Sequence, residues 1–141
     1  MTTGPAYFEN GLLIIVVKLS PGAIISPHRH NAHDIVTVGL EGLCTYRHYQ
    51  VVGKAPDSKD TVTTWRVQET RSGIMTRGRS SDLTVKRDHI HTFRAGEEGA
   101  TILDFLTKTE DAGQTPIIHI EAEPRDKFLR IHDVRWTDSG F

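Results

Sequence analysis

Leu12-Leu13-Ile14-Ile15-Val16-Val17, followed after two residues by Ser20-Pro21-Gly22, is the stretch on which the fold turns. An apolar, largely β-branched run closed by turn formers reads as a buried strand, and it is too short for a buried helix. The same grammar repeats along the chain. Ile24–Ser26, Asp34–Leu40, Leu43–Gln50, Thr61–Glu69, Leu83–Lys86, His89–Arg94, Ala100–Leu106 and Ile117–Ile120 read as further strands. Glu41-Gly42, Gly53–Asp60, Ser72-Gly73, Arg77–Ser81 and Gly96–Gly99 supply turn chemistry between them. About nine short strands without a helix signal predict an all-β antiparallel sandwich or barrel.

A chain of 141 residues fits one domain, taken here as 1–141. Gly53–Asp60 is a polar hairpin excursion between like neighbours rather than a linker. Residues 121–141 are charged, with Phe128, Leu129, Ile131 and Trp136 as isolated apolar anchors, and are expected to pack as an extension on the barrel or a partner subunit. The formal net charge of -1 gives no global field favouring nucleic acid or an acidic membrane. Leu12–Val17 is too short to span a bilayer, and a basic start with a small-residue cleavage site is lacking. Cys44 is the only cysteine, so an internal disulfide is impossible and a reducing, cytoplasmic setting is expected. An apolar strand such as Leu12–Val17 is a hazard at a sheet edge, which leads us to expect a homodimer paired through it.

Eight histidines are the unusual feature of the composition. On a strand, alternation points His28 and His30 to one face and Arg29 to the other, so two imidazoles can converge on one ion. An exposed dipeptide has the same spacing, and the pair alone does not decide. Continuing the count puts Ala32 and Asp34 on the histidine face, where Asp34 could be a fourth ligand or orient an imidazole. At roughly 3.3 Å per residue it starts far from His30, which favours the orienting role. A third ligand must come from another strand, from His89 or His91.

The wider frame resembles the first motif of the cupins. Gly22, five residues, His28-x-His30, three residues, Asp34 and then Gly42 follow the cupin order, with Asp for Glu and the final glycine one residue late. In the second motif Lys86, Asp88 and Ala95 replace proline, glycine and asparagine, and only the histidine survives. Ile90-His91-Thr92-Phe93-Arg94-Ala95 and the strand around Ile102-Leu103-Asp104-Phe105-Leu106 resemble the thiol dioxygenase branch, which includes cysteamine dioxygenase and the plant cysteine oxidases. The resemblance covers about Leu12 to Leu106 apart from the Gly53 loop. It implies a jelly-roll barrel (a double-stranded β-helix) with a non-haem Fe(II) site carried by His28, His30 and His91. Asn31-Ala32-His33 stands where that branch has Pro-Gly-Met, and Thr107-Lys108-Thr109-Glu110 where it has Ala-Pro-Pro-Tyr. The metal site is therefore carried over and the thiol substrate is not.

The function expected on this basis is a dioxygenase joining O2 to a small metal-chelating anion: a thiol, a diketone or a hydroxyketone. Zinc, nickel or manganese suit the same ligands, and with them a cupin isomerase, cyclase or lyase using Lewis-acid chemistry is the rival; a sensor or binding module is the non-enzyme one. Asp34 and His48 are the candidate catalytic side chains. On Leu43–Gln50 either Cys44/Tyr46/His48 or Thr45/Arg47/Tyr49 faces inward, and Arg47 there would suit a carboxylate substrate. His33 reads as a rim residue, Cys44 as a small buried hydrophobe, and Trp65 and Trp136 as core or interface anchors.

Overall fold

The computed structural model describes residues 1–30, 33–84, 86, 89–108 and 116–140. Asn31, Ala32, Val85, Asp88, Thr109 and Glu110, all drawn on above, lie outside them. The described elements are the strands β1 (Thr2–Glu9), β2 (Leu12–Leu19), β3 (Ile24–Arg29), β4 (His33–Val52), β5 (Trp65–Met75), β6 (Ser80–Leu83), β7 (Ile90–Lys108), β8 (Pro116–Ile120) and β9 (Ile131–Gly140). Pairing runs β7-β3-β8-β9-β5-β4 and returns to β7, which closes a barrel; β1 and β2 extend it beside β7, and β6 beside β4. No helix among the described residues is long and apolar enough to cross a membrane.

The long strands β4 and β7 run through both halves of the barrel. Ile35–Gly39 pair with Ile102–Leu106, whereas Cys44–Tyr49 pair with Ile90–Ala95. Between these blocks the register breaks at Gly39/Glu41 and Gly42/Cys44. The sequence reading divides each long strand in two at Glu41-Gly42 and Gly96–Gly99. The turn chemistry is real, but it bends one paired strand instead of ending it.

Other expectations change as well. Ser72-Gly73 lies inside β5, where a Cβ on Gly73 would stand 2.7 Å from the Tyr46 hydroxyl; the glycine admits that ring and makes no turn. β1 and β9 are strands the periodicity did not signal, and β6 precedes the expected Leu83–Lys86. β9 pairs with β5 and β8, so the segment after Glu121 supplies an integral strand. The apolar β2 lies between β1 and β7, which removes the exposed-edge argument for a dimer.

The interior divides into clusters. Cys44, Met75, Phe93 and Ile102 are fully buried in one. Trp65 and Trp136, with ring centroids 4.6 Å apart, anchor another. The Trp136 indole N–H donates to the Pro56 carbonyl at 3.0 Å and ties the Gly53–Asp60 excursion to the barrel wall.

Candidate metal centre

Antiparallel pairing sets the site. On β7, His91 lies opposite His28 of β3 and, on its other side, opposite His48 of β4, so three histidines form one row across the sheet. His30 follows the last residue of β3 and is held by its backbone N–H, which donates to the His89 carbonyl at 3.0 Å. The His91 Nε2 atom stands 2.9 Å from His28 Nε2 and 3.1 Å from His30 Nε2. All three side chains are buried. His28, His30 and His91 thus form a cluster that could hold a metal ion, each offering one nitrogen.

The donor set fits a divalent ion. Imidazole nitrogens bind at about 2.0–2.1 Å, so two that share an ion approach one another to roughly 3 Å, as His91 does with each of the other two. A carbonyl can only accept, so the 2.7 Å contact of His28 Nδ1 with the Ser26 carbonyl puts the ring proton on Nδ1 and leaves a lone pair on Nε2. Burial holds all three rings neutral. It lowers His28 to about 4, against a smaller upward pull from the Ser26 bond. It lowers His30 to about 2, helped by His28 and His33, and His91 well below the ordinary histidine value.

Other sequence candidates are distributed differently. His89 is buried, yet it stands outside the cluster, and His91 occupies the third position. The parity expected for Asp34 does not hold. β3 ends at Arg29 and β4 begins afresh at His33, so counting through the break is invalid. On β4 the inward set is His33, Ile35 and Thr37; Asp34 lies on the alternate face and is absent from the cavity lining. His33, read as a rim residue, lines the cavity with its ring 6.5 Å from that of His30. Beyond the bend the inward set is Cys44, Tyr46 and His48. His48 is fully buried behind His91 rather than on the cavity surface, with ring centroids 6.0 Å apart. Its Nδ1 accepts from Arg71 Nη2 at 3.1 Å, which places the proton of the neutral ring on Nε2. Arg71 is itself held by Asp82 at 3.1 Å.

The three histidines stand in the wall of a cavity of about 600 Å³ bounded by β1, β2, β3, β4 and β7. Leu13, Ile15, Val17, Ile25, Phe93 and Leu106 give it apolar walls, and Asp104 is the only acidic lining residue among the described residues.

No protein-family model matches the sequence, and a search of curated proteins finds no match. Solved structures do match. KdgF from Halomonas sp. superposes with a TM-score of 0.51 at 16% identity, over 77% of this chain and 80% of that one. The Cupin_2 domain of an XRE family transcriptional regulator from Enterobacter cloacae gives 0.53 at 12%, over 75% and 94%. The fold is a cupin barrel. A recombinant oxalate oxidase in complex with glycolate also matches, at 0.51 and 16%, over 72% of this chain but only 44% of the oxidase. At such identities the likeness concerns the fold alone.

Within this cupin barrel, sequence reading passed over Asp104. Burial raises its carboxyl to about 6, only partly offset by the hydrogen bond that Thr37 Oγ1 donates to it at 2.6 Å. The signal was a lone acid inside the apolar run Ile102–Leu106. Asp104 in turn helps burial, the larger cause, raise the Cys44 thiol to about 11, so Cys44 is no nucleophile. Between the ordinary carboxylate value and about 6, the folded chain keeps a proton that the unfolded chain has released. Native stability from this group is therefore present at low pH and lost as pH rises through about 6. Asp104→Asn keeps an acceptor for Thr37 and removes this loss. In metal-free protein its stability relative to native is expected to improve by on the order of 1 kcal/mol from about pH 5 to about pH 8. Urea unfolding at the two pH values measures the difference; equal values would mean that Asp104 titrates normally.

Proposed function

We propose that the chain is a metal-dependent cupin dioxygenase whose three-histidine Fe(II) site oxidises a small metal-chelating anion such as a thiol, a β-diketone or an α-hydroxyketone. The observation that carries this reading is the convergence of three neutral imidazole nitrogens on one wall of an apolar cavity, with no carboxylate in the cluster among the described residues. His28, His30 and His91 would hold Fe(II) through neutral ligands alone, and the ion would supply redox chemistry toward O2 and a bound anion. The chain's own residues do the rest. Ser26 fixes the His28 ring through its Nδ1 proton, and the Arg71–His48 contact fixes the ring packed behind His91. The apolar walls exclude water and orient the substrate body. Asp104, poised near 6, can take a proton at its carboxylate from an acidic substrate entering the cavity.

That same carboxyl favours a second reading, an isomerase, cyclase or lyase in which a divalent ion acts as Lewis acid and Asp104 moves the proton. Fe(II)-loaded protein should consume O2 with pentane-2,4-dione, an alkanethiol or acetoin, as read by an oxygen electrode. Conversion of one of these under anaerobic conditions, with no O2 uptake in air, would replace the dioxygenase by the second reading.

A further inference from the structure

Leu13, Ile15 and Val17 occupy alternate positions of β2 and line the cavity side by side, a stripe spanning roughly 13 Å. Ile25, Phe93 and Leu106 close the cavity from β3 and β7. No lysine or arginine is among its described lining residues, and the one acid among them, Asp104, is already engaged by Thr37. Arg47, which the sequence offered as a carboxylate partner, faces out, with its side chain 60% exposed, and pairs with Glu69 at 3.7 Å. Apart from its histidines, then, no described side chain of the lining can neutralise a negative charge, and Asp104 opposes one.

We infer that the substrate has a single metal-binding head and an extended apolar body lying along the Leu13–Ile15–Val17 stripe, and that molecules with a second anionic group are rejected. This rests on the metal-centre reading and narrows its substrate class. Desolvating a second charge beside Asp104, with no described lysine or arginine side chain to meet it, is unfavourable, whereas each methylene moved from water onto the stripe is favourable.

Co(II)-loaded full-length chain, followed by its visible absorption, tests both layers. Azide, which has no body, should bind and shift the spectrum. Across acetate, butanoate and hexanoate, affinity should rise by roughly fourfold per methylene. Hexanedioate should bind at least about tenfold more weakly than hexanoate. Ile15→Asn should flatten the length series. A flat series in the native chain, or hexanedioate binding as tightly as hexanoate, overturns the inference and leaves the metal centre standing. A chain that takes up no Co(II) removes the metal centre, and this inference with it, whereas a Co(II) spectrum that does not respond to azide overturns the inference alone.

Discussion

His91→Ala should lower affinity for a divalent ion by roughly a hundredfold or more, since changes merely behind a ligand already cost tens-fold. His91 is central to the cluster. Its Nε2 makes both close contacts, and it lies opposite His28 on one side and His48 on the other. Its neighbours cannot replace it: Phe93 has no donor, and His48 is held from behind by Arg71. Stability provides a second readout. An ion present at about a thousandfold its dissociation constant adds about 4 kcal/mol to a folded chain that alone binds it. The native chain should show that gain in urea unfolding, and His91→Ala should lose most of it. His89→Ala and His119→Ala should retain it, because neither side chain belongs to the cluster. Loss of the gain in His89→Ala, with its retention in His91→Ala, would move the third ligand to His89.

Gly42→Ala should cost about 3 kcal/mol or more, measured by chemical denaturation. Gly42 has φ +69, where a Cβ alone costs roughly 1–2 kcal/mol. That Cβ would also run into the Gly99 carbonyl oxygen and stand 3.1 Å from the Ala100 Cα, backbone that cannot rotate away. Gly99 is pinned in turn, since a Cβ there would meet the Leu19 carbonyl at 2.6 Å. Here β4 and β7 bend together, between the half of the barrel that carries His91 and the half that carries Asp104. Gly53 is the control: its φ is +79, but open space surrounds the added carbon, so Gly53→Ala should cost only about 1 kcal/mol. Equal costs at the two positions would show that backbone conformation, and not the close approach at the bend, sets the effect.

The histidine centre was legible because its information is local. His28 lies on β3 and His30 one residue past its end, where alternation by two still holds over so short a span. Asp34 failed because the same counting was carried across the end of β3. The inward set Cys44/Tyr46/His48 could not be chosen from sequence, since two register breaks between Gly39 and Cys44 reset the parity of β4. The first break leaves Leu40 of β4 unpaired, and the second leaves out residues 96–99 of β7, a property of the partner strand. The resemblance to cupins supplied the barrel and the choice of His91 over His89, where spacing alone left both open. β1 and β9 were hidden by composition: Gly4 and Pro5 interrupt the first, and charged residues alternate with Val134 and Trp136 in the second. Asp104 was in plain view, but its chemistry comes from burial beside Thr37, which only the closed barrel brings about.

The most direct test of the three-histidine centre is elemental analysis of the whole chain purified without chelators. The native chain should carry close to one divalent ion per polypeptide, and His91→Ala little or none. A native chain that carries no ion, takes up none of added Fe(II), Zn(II), Ni(II) or Mn(II), and keeps the same unfolding midpoint in their presence would contradict it.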